Sequence, residues 1–257
     1  MKNAVYKILP IAVGLSLGWI LFHPPAWIPS GPAGTIIIAA AVFVLLVGFI
    51  AVNIATSLPA EIKLQPLGGP PDPAIEYLSR ELGALGFEEA GGPFLVGIRP
   101  AAVLTAFVHP GERVYASVFR TGTVPAVTSY DFVSILEGRP AGLTTTSNWR
   151  GGTVPAGPGE FRQVLPAAGV RQAFETHLKG LAWLQSRNLR VKKVSAASFA
   201  ADFLEALGIQ REHYRRTALR SAFVALGRTL IKRSPEHGPL AGQRGIEEKL
   251  RRVRSQV

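Results

Sequence analysis

Hydroxyl and aromatic side chains gather in the run Thr144-Thr145-Thr146-Ser147-Asn148-Trp149, and Tyr115 and Ser117 alternate in an earlier stretch rich in strand-forming residues. Alternate residues of a strand share a face. Tyr115, Ser117, Thr145, Asn148 and Trp149 are therefore the candidate lining of a polar pocket, with Trp149 offering a surface for ligand stacking. A hydroxyl becomes a nucleophile only beside a positioned base. The sequence supplies none at a fixed spacing from these residues, and Thr and Tyr also favour strands for packing alone. A hydrolase or transferase using Tyr115, Thr145 and Trp149 is one expectation; a solvated strand face is the other.

Other chemical motifs carry less. Gly14-Leu15-Ser16-Leu17-Gly18 has the letters of a hydrolase nucleophile elbow, which needs a strand, a strained turn and a helix. Here it sits in an uncharged run that must be helical in lipid. The same letters give Gly14 and Gly18 the spacing at which a second helix can pack closely, and Ala39, Ala40, Ala41, Gly48, Ala51 and Ala55 offer matching small positions. The histidines at 23, 109, 177, 213 and 237 never fall four apart, and there is no cysteine, so no metal is expected. Glu175 and His177, two residues apart on a helix, point different ways and read as an incidental surface pair. The Gly-rich stretches lack the residues that make phosphate loops. No cofactor is expected.

The elements that must position these groups begin with a membrane segment. No Asp, Glu, Lys or Arg occurs from Ile8 to Ala60. That is too long for one span of roughly 20 residues, and the Pro-rich stretch from His23 to Pro32 interrupts it. Two helices are expected, about Ala4 to Phe22 and Thr35 to Leu58, and cleavage as a signal peptide fits poorly because a second full span follows. Lys2, Lys7 and Lys63 flank the pair while the loop is uncharged, which sets both termini on the cytoplasmic side of a cell membrane.

A Pro/Gly linker over 60–72 leads to a soluble domain over 73–233. Asp72 caps a helix opened by Pro73 and closed near Gly86. From Phe87 to about Gln163, short Val-, Phe-, Tyr- and Thr-rich runs read as an antiparallel meander. Val103–Val108 and Val114–Phe119 pair across a type II turn with Pro110 and Gly111 at its centre, strands follow at Ala126–Leu136 and Leu143–Ser147, and Arg150–Gly159 is an exposed loop. Three helices are expected in the last third, marked by Val170 to Leu184, by Phe199 to Leu207 with Ser195 as cap and Gly208 as stop, and by Leu219 to Leu230. A basic tail over 234–257 ends in a short helix. The fold class is α+β: two N-terminal transmembrane helices, then an antiparallel sheet packed with helices.

Phe107-Val108-His109-Pro110, Val114 to Phe119, Ser134 to Gly138 and Leu143 to Asn148 together resemble a bacterial family that places such a domain after membrane helices. The resemblance implies the domain boundary and no activity.

Charge is segregated. Residues 58–160 carry ten acidic and seven basic side chains, whereas 161–257 carry seven acidic and nineteen basic, net +12. A tethered basic domain is drawn to an anionic leaflet by roughly 1 kcal/mol per nearby Lys or Arg. Arg215, Arg216, Arg220, Lys232, Arg251, Arg252 and Arg254 are the candidate basic surface, and the Ile246, Leu250 and Val253 side of the last helix is expected to enter the interface. A binding or assembly module is the resulting expectation, its partners membrane lipid, an acidic protein or a second copy. Nucleic acid would use Arg215, Arg216, Arg220 and Lys232, but no recognition module is present.

Overall fold

A computed structural model describes residues 31–59, 61–68, 72–98, 101–121, 128–137, 142–148, 153–157, 159–231 and 234–255. The first expected span with Gly14 and Gly18, as well as Trp149 and Lys232, lies outside the described residues. Within them one helix, α1 (Pro32–Thr56), is long and apolar enough to cross a membrane. At about 1.5 Å per residue, its 25 residues exceed a hydrocarbon core of about 30 Å.

The remainder is a mixed α/β unit built on a seven-stranded sheet whose spatial order follows the chain. The strands are β1 (Leu64–Pro66), β2 (Glu88–Val96), β3 (Ala102–His109), β4 (Val114–Thr121), β5 (Thr128–Ile135), β6 (Gly142–Thr146) and β7 (Glu160–Val164). Strands β1 to β6 form an antiparallel meander, and β7 then pairs parallel to β6. The expected 103–108 and 114–119 hairpin is β3 with β4, but its turn differs. Four residues separate the paired His109 and Val114, and the left-handed position is Arg113 at φ 57°. Gly111 has no positive φ, so the turn is not type II.

Helix α2 (Pro73–Gly83) starts as its sequence dictates: the Asp72 carboxylate accepts from the Ala74 amide at 3.0 Å, and Pro73 occupies the first turn. It closes through Gly86, whose φ of 89° is the left-handed position that favours glycine. Helix α3 (Val170–Gln185) follows β7. On one sheet face Val114, Ala116, Val118, Phe132, Leu143 and Phe161 pack under α2 and α3. Leu104, Ala106, Val108 and Tyr115 line the other face and meet Val194, Phe199 and Phe203.

Three expectations are corrected. The linker is not wholly without structure, since Leu64–Pro66 adds an edge strand to β2. Gly208 ends nothing: Phe199–Ile231 is one 33-residue helix, α4. A glycine inside a helix costs only about 1 kcal/mol, and Ile209-Gln210-Arg211-Glu212 continues without a proline to force a stop. Finally, the described part of the expected tail, residues 234–255, packs on the domain. Helix α5 (Ile246–Ser255) buries Ile246, Leu250 and Val253 in the main core, so that face cannot also enter a membrane.

Candidate functional site: a charged cluster beside helix α1

Strand register sorts the expected pocket residues onto opposite faces. Thr145 stands opposite Phe132, which stands opposite Ala116, whereas Tyr115 pairs with Val133 and Ser117 with Asp131. Thr145 therefore looks into the main core, away from Tyr115 and Ser117. It is fully buried there. Gln163 Nε2 donates to Thr145 Oγ1 at 2.7 Å, leaving the hydroxyl proton for His177 Nδ1 at 2.9 Å. The imidazole proton then belongs on Nε2, facing Ser134 Oγ at 3.0 Å, and Ser134 donates to the Arg113 carbonyl at 3.2 Å. Gln163 Oε1 accepts from the Leu240 amide at 2.7 Å.

Each donor in this chain has an acceptor, as burial demands. Burial also pushes the His177 pKa down to about 3, so the ring is neutral. Gly180 makes the arrangement possible. A Cβ there would stand 2.9 Å from Leu143 Cδ2 and 3.1 Å from the Gln163 amide, so a larger residue would have to push these buried side chains aside. His177 is thus a satisfied core residue rather than part of a surface pair, and Thr145 has no hydroxyl proton left for chemistry.

Tyr115 anchors the start of α4. Its hydroxyl donates to Asp202 Oδ2 at 2.7 Å and lies 2.8 Å from Ser198 Oγ, while Lys192 Nζ meets Asp202 Oδ1 at 2.7 Å. Burial, with Asp202 adding to it, pushes the phenol up to about 12, so it holds its proton. Ser195, the expected cap, lies four residues before Phe199, the first residue of α4, and Ser198 immediately precedes the helix. Ser195 exchanges reciprocal side-chain to backbone bonds with Ser198, the geometry of a capping box. Ser117 is buried beside Asp131, which burial pushes up to about 6, with Thr146 and Arg162 acting against it. Asn148 donates its backbone N–H to Thr146 Oγ1 at 3.0 Å.

The densest polar constellation lies elsewhere, at the β7 edge. Arg162 is buried and grips Glu160 with two bonds, Nε to Oε1 and Nη2 to Oε2, both 2.8 Å. Its Nη1 donates to the Val154 carbonyl at 2.9 Å and reaches Glu236 Oε2 at 3.4 Å. Glu236 also takes Arg228 Nη1 at 3.3 Å and the Ala156 amide at 3.2 Å. Lys249 of α5 donates to the Glu160 carbonyl. Burial works against the charge on Glu160, but Arg162 overrides it and the pKa falls below the ordinary carboxylate value. Burial pulls Lys249 down. Three cations face two carboxylates, each held by hydrogen bonds, which is how buried charge becomes tolerable.

This cluster joins the sheet to α1. Val154 and Tyr214, against Arg162, continue into an apolar seam where Ala218, Ala222, Ala225 and Leu226 of α4 meet Val47, Ile50, Ala51 and Ile54 of α1. Arg211 Nη1 donates to the Pro59 carbonyl at 3.3 Å, so α4 runs antiparallel to α1. Small residues on α4 permit the close approach. The cluster's charged side chains are engaged with one another or with backbone groups, and no metal-binding group of three His or carboxylates occurs among the described residues. Its physical effect is mechanical: it fixes the 153–160 loop, the 234–243 segment and α4 as one piece.

The expected basic residues are exposed but divided. Arg215, Arg216 and Arg220 lie on α4, with Arg216 paired to Glu212 at 2.7 Å. Arg251, Arg252 and Arg254 lie on α5, across the sheet from where α4 begins. Arg252 pairs with Glu248 and Arg254 donates to the Arg187 carbonyl. Sequence reasoning misread His177 and passed over Glu160, Arg162, Gln163 and Glu236, because nothing in their spacing marks contacts formed across up to 89 residues. Comparison with protein-family models, with curated proteins and with solved structures finds no match to this chain.

Proposed function

We propose that the chain is a membrane-anchored binding module whose α/β domain is held against its own membrane helix, so that a basic face meets the anionic lipid around the anchor. The observation that carries this reading is the seam between α1 and α4, because α4 also bears exposed Arg215, Arg216 and Arg220. Docking α4 on the anchor sets those charges at the bilayer without a flexible tether. Each one close to an anionic surface contributes roughly 1 kcal/mol, falling off within a screening length of roughly 8–10 Å. The finer topology belongs to the same proposal: a first span before α1 and both termini on the cytoplasmic side follow from Lys2, Lys7, Lys63 and the uncharged loop. Arg251, Arg252 and Arg254, on the other side of the sheet, are the surface left for an acidic protein or a second copy.

The test is backbone hydrogen exchange of the full chain in nanodiscs of neutral or anionic lipid. Slower exchange near Arg215 to Arg220 in anionic discs, reversed by salt, supports the reading. Equal exchange in both lipids contradicts it.

A further inference from the structure

Helix α4 changes character along its length. Its middle carries Arg211, Glu212, Arg215, Arg216 and Arg220; its end, Ser221 to Ile231, carries a single charge, Arg228. Leu219, Phe223 and Leu230 recur at intervals of four and seven on one side and are 60%, 49% and 75% exposed, with Ile231 at 69%. That is an unusual amount of contiguous apolar side chain to leave in water. It is not isolated. The Phe223 ring lies 6.0 Å from that of Phe43, near the middle of α1, and Phe43 is itself 46% exposed among Val44, Leu45 and Leu46. Whatever medium bathes Phe43 also reaches Phe223.

We infer that the end of α4, from Leu219 to Ile231, is embedded in the bilayer beside α1 as a second lipid-facing helix. The inference rests on α1 lying in the membrane, as proposed above. If mid-α1 is within the hydrocarbon, its ring neighbour sits at the same depth. The two basic residues in this segment are placed as such a position requires. Arg228 turns away from the apolar side and pairs with buried Glu236. Arg220 is exposed one turn before Phe223, where its long stem can carry the guanidinium toward the headgroups. Length and composition alone do not reveal α4 as a membrane element, because its other sides are charged or covered by α1.

The chain lacks cysteine, so single substitutions give unique labelling sites. Val44→Cys, Phe223→Cys, Leu230→Cys and, on α2, Tyr77→Cys are each spin-labelled in the full-length protein in bilayers, and collision with oxygen is compared with collision with a water-soluble nickel chelate. Labels at 223 and 230 should match Val44, favouring oxygen, with nickel access several-fold below that at Tyr77. Leu230 makes no ring contact with α1, so its label reports even if Phe223→Cys disturbs the seam. Nickel access at 223 and 230 equal to Tyr77, with Val44 shielded, overturns this inference alone. Nickel access at Val44 as well overturns the anchoring on which it rests. Labels at 223 and 230 closed to both reagents would show protein, rather than lipid, against this face and would also overturn it.

Discussion

Arg162 and Glu160, two residues apart on β7, face each other as a fork and a carboxylate in the space between the sheet and α4. Removing the guanidinium alone leaves buried Glu160 without its main counter-charge, while Glu236 keeps Arg228. Breaking a buried pair in this way costs about 3–5 kcal/mol. Arg162→Met should therefore lower the denaturation midpoint sharply, and adding Glu160→Gln to it should recover part of the loss. A double variant less stable than the single would contradict the account of the cluster.

His177 sets a pH dependence. Its pKa is about 3 in the folded protein against 6.5 for the free side chain. The unfolded chain therefore takes up the proton first, and the stability that the neutral ring supports is complete above pH 6.5 and declines as pH falls toward 3. The slope cannot exceed about 1.4 kcal/mol per pH unit. The stability gap between the parent and His177→Gln should narrow from pH 7 to pH 4. A constant gap would show that the ring titrates normally.

Asp131 acts with the opposite sign. Its pKa rises from 3.8 to about 6 on folding, so the folded state holds this proton more tightly and loses stability as pH rises through 6. Asp131→Asn should be more stable than the parent at pH 8, by on the order of 1–3 kcal/mol, with the difference fading below pH 4. Chemical denaturation at the two pH values checks it. An Asn variant less stable at pH 8 would mean that the charge is needed where it stands.

The sequence is informative where the physics is local. Asp72 before Pro73, Gly86 after an apolar stripe, and the paired runs around His109-Pro110 are read from neighbours in the chain, and each forms the expected element. The apolar side of α5 is equally visible in Ile246, Leu250 and Val253; what covers it is not, because the same periodicity serves a core or a membrane. Gly208 misleads because a glycine stops a helix only when the chain beyond it has somewhere else to go. Thr145 goes to the wrong side of the pocket for a related reason: register, fixed by pairing with β5 and β7, decides its face. Glu160-Phe161-Arg162-Gln163 carries two core functions at once, charged on one face and amide on the other, and so resembles no ordinary strand.

Leu250 distinguishes a packed helix from a surface tail. It is 1% exposed, and truncation of such a side chain costs about 2–5 kcal/mol. Leu250→Ala should lower the melting temperature clearly, whereas Arg251→Ala, exposed on the next position, should stay within about 0.5 kcal/mol. Equal and small effects from both would return α5 to the surface.

Docking of α4 onto α1 is the claim on which the membrane reading stands, and a cross-link between them measures it most directly. Phe43→Cys with Phe223→Cys, in the otherwise cysteine-free full-length protein in native membranes, brings two thiols to positions whose rings lie 6.0 Å apart. Arg187→Cys with Glu247→Cys, replacing a 2.9 Å ion pair between the α3–α4 connection and α5, reports that the domain is folded. A short bis-thiol reagent should join both pairs. Joining of 187 to 247 without joining of 43 to 223 would show a folded domain detached from its anchor, and would contradict the account.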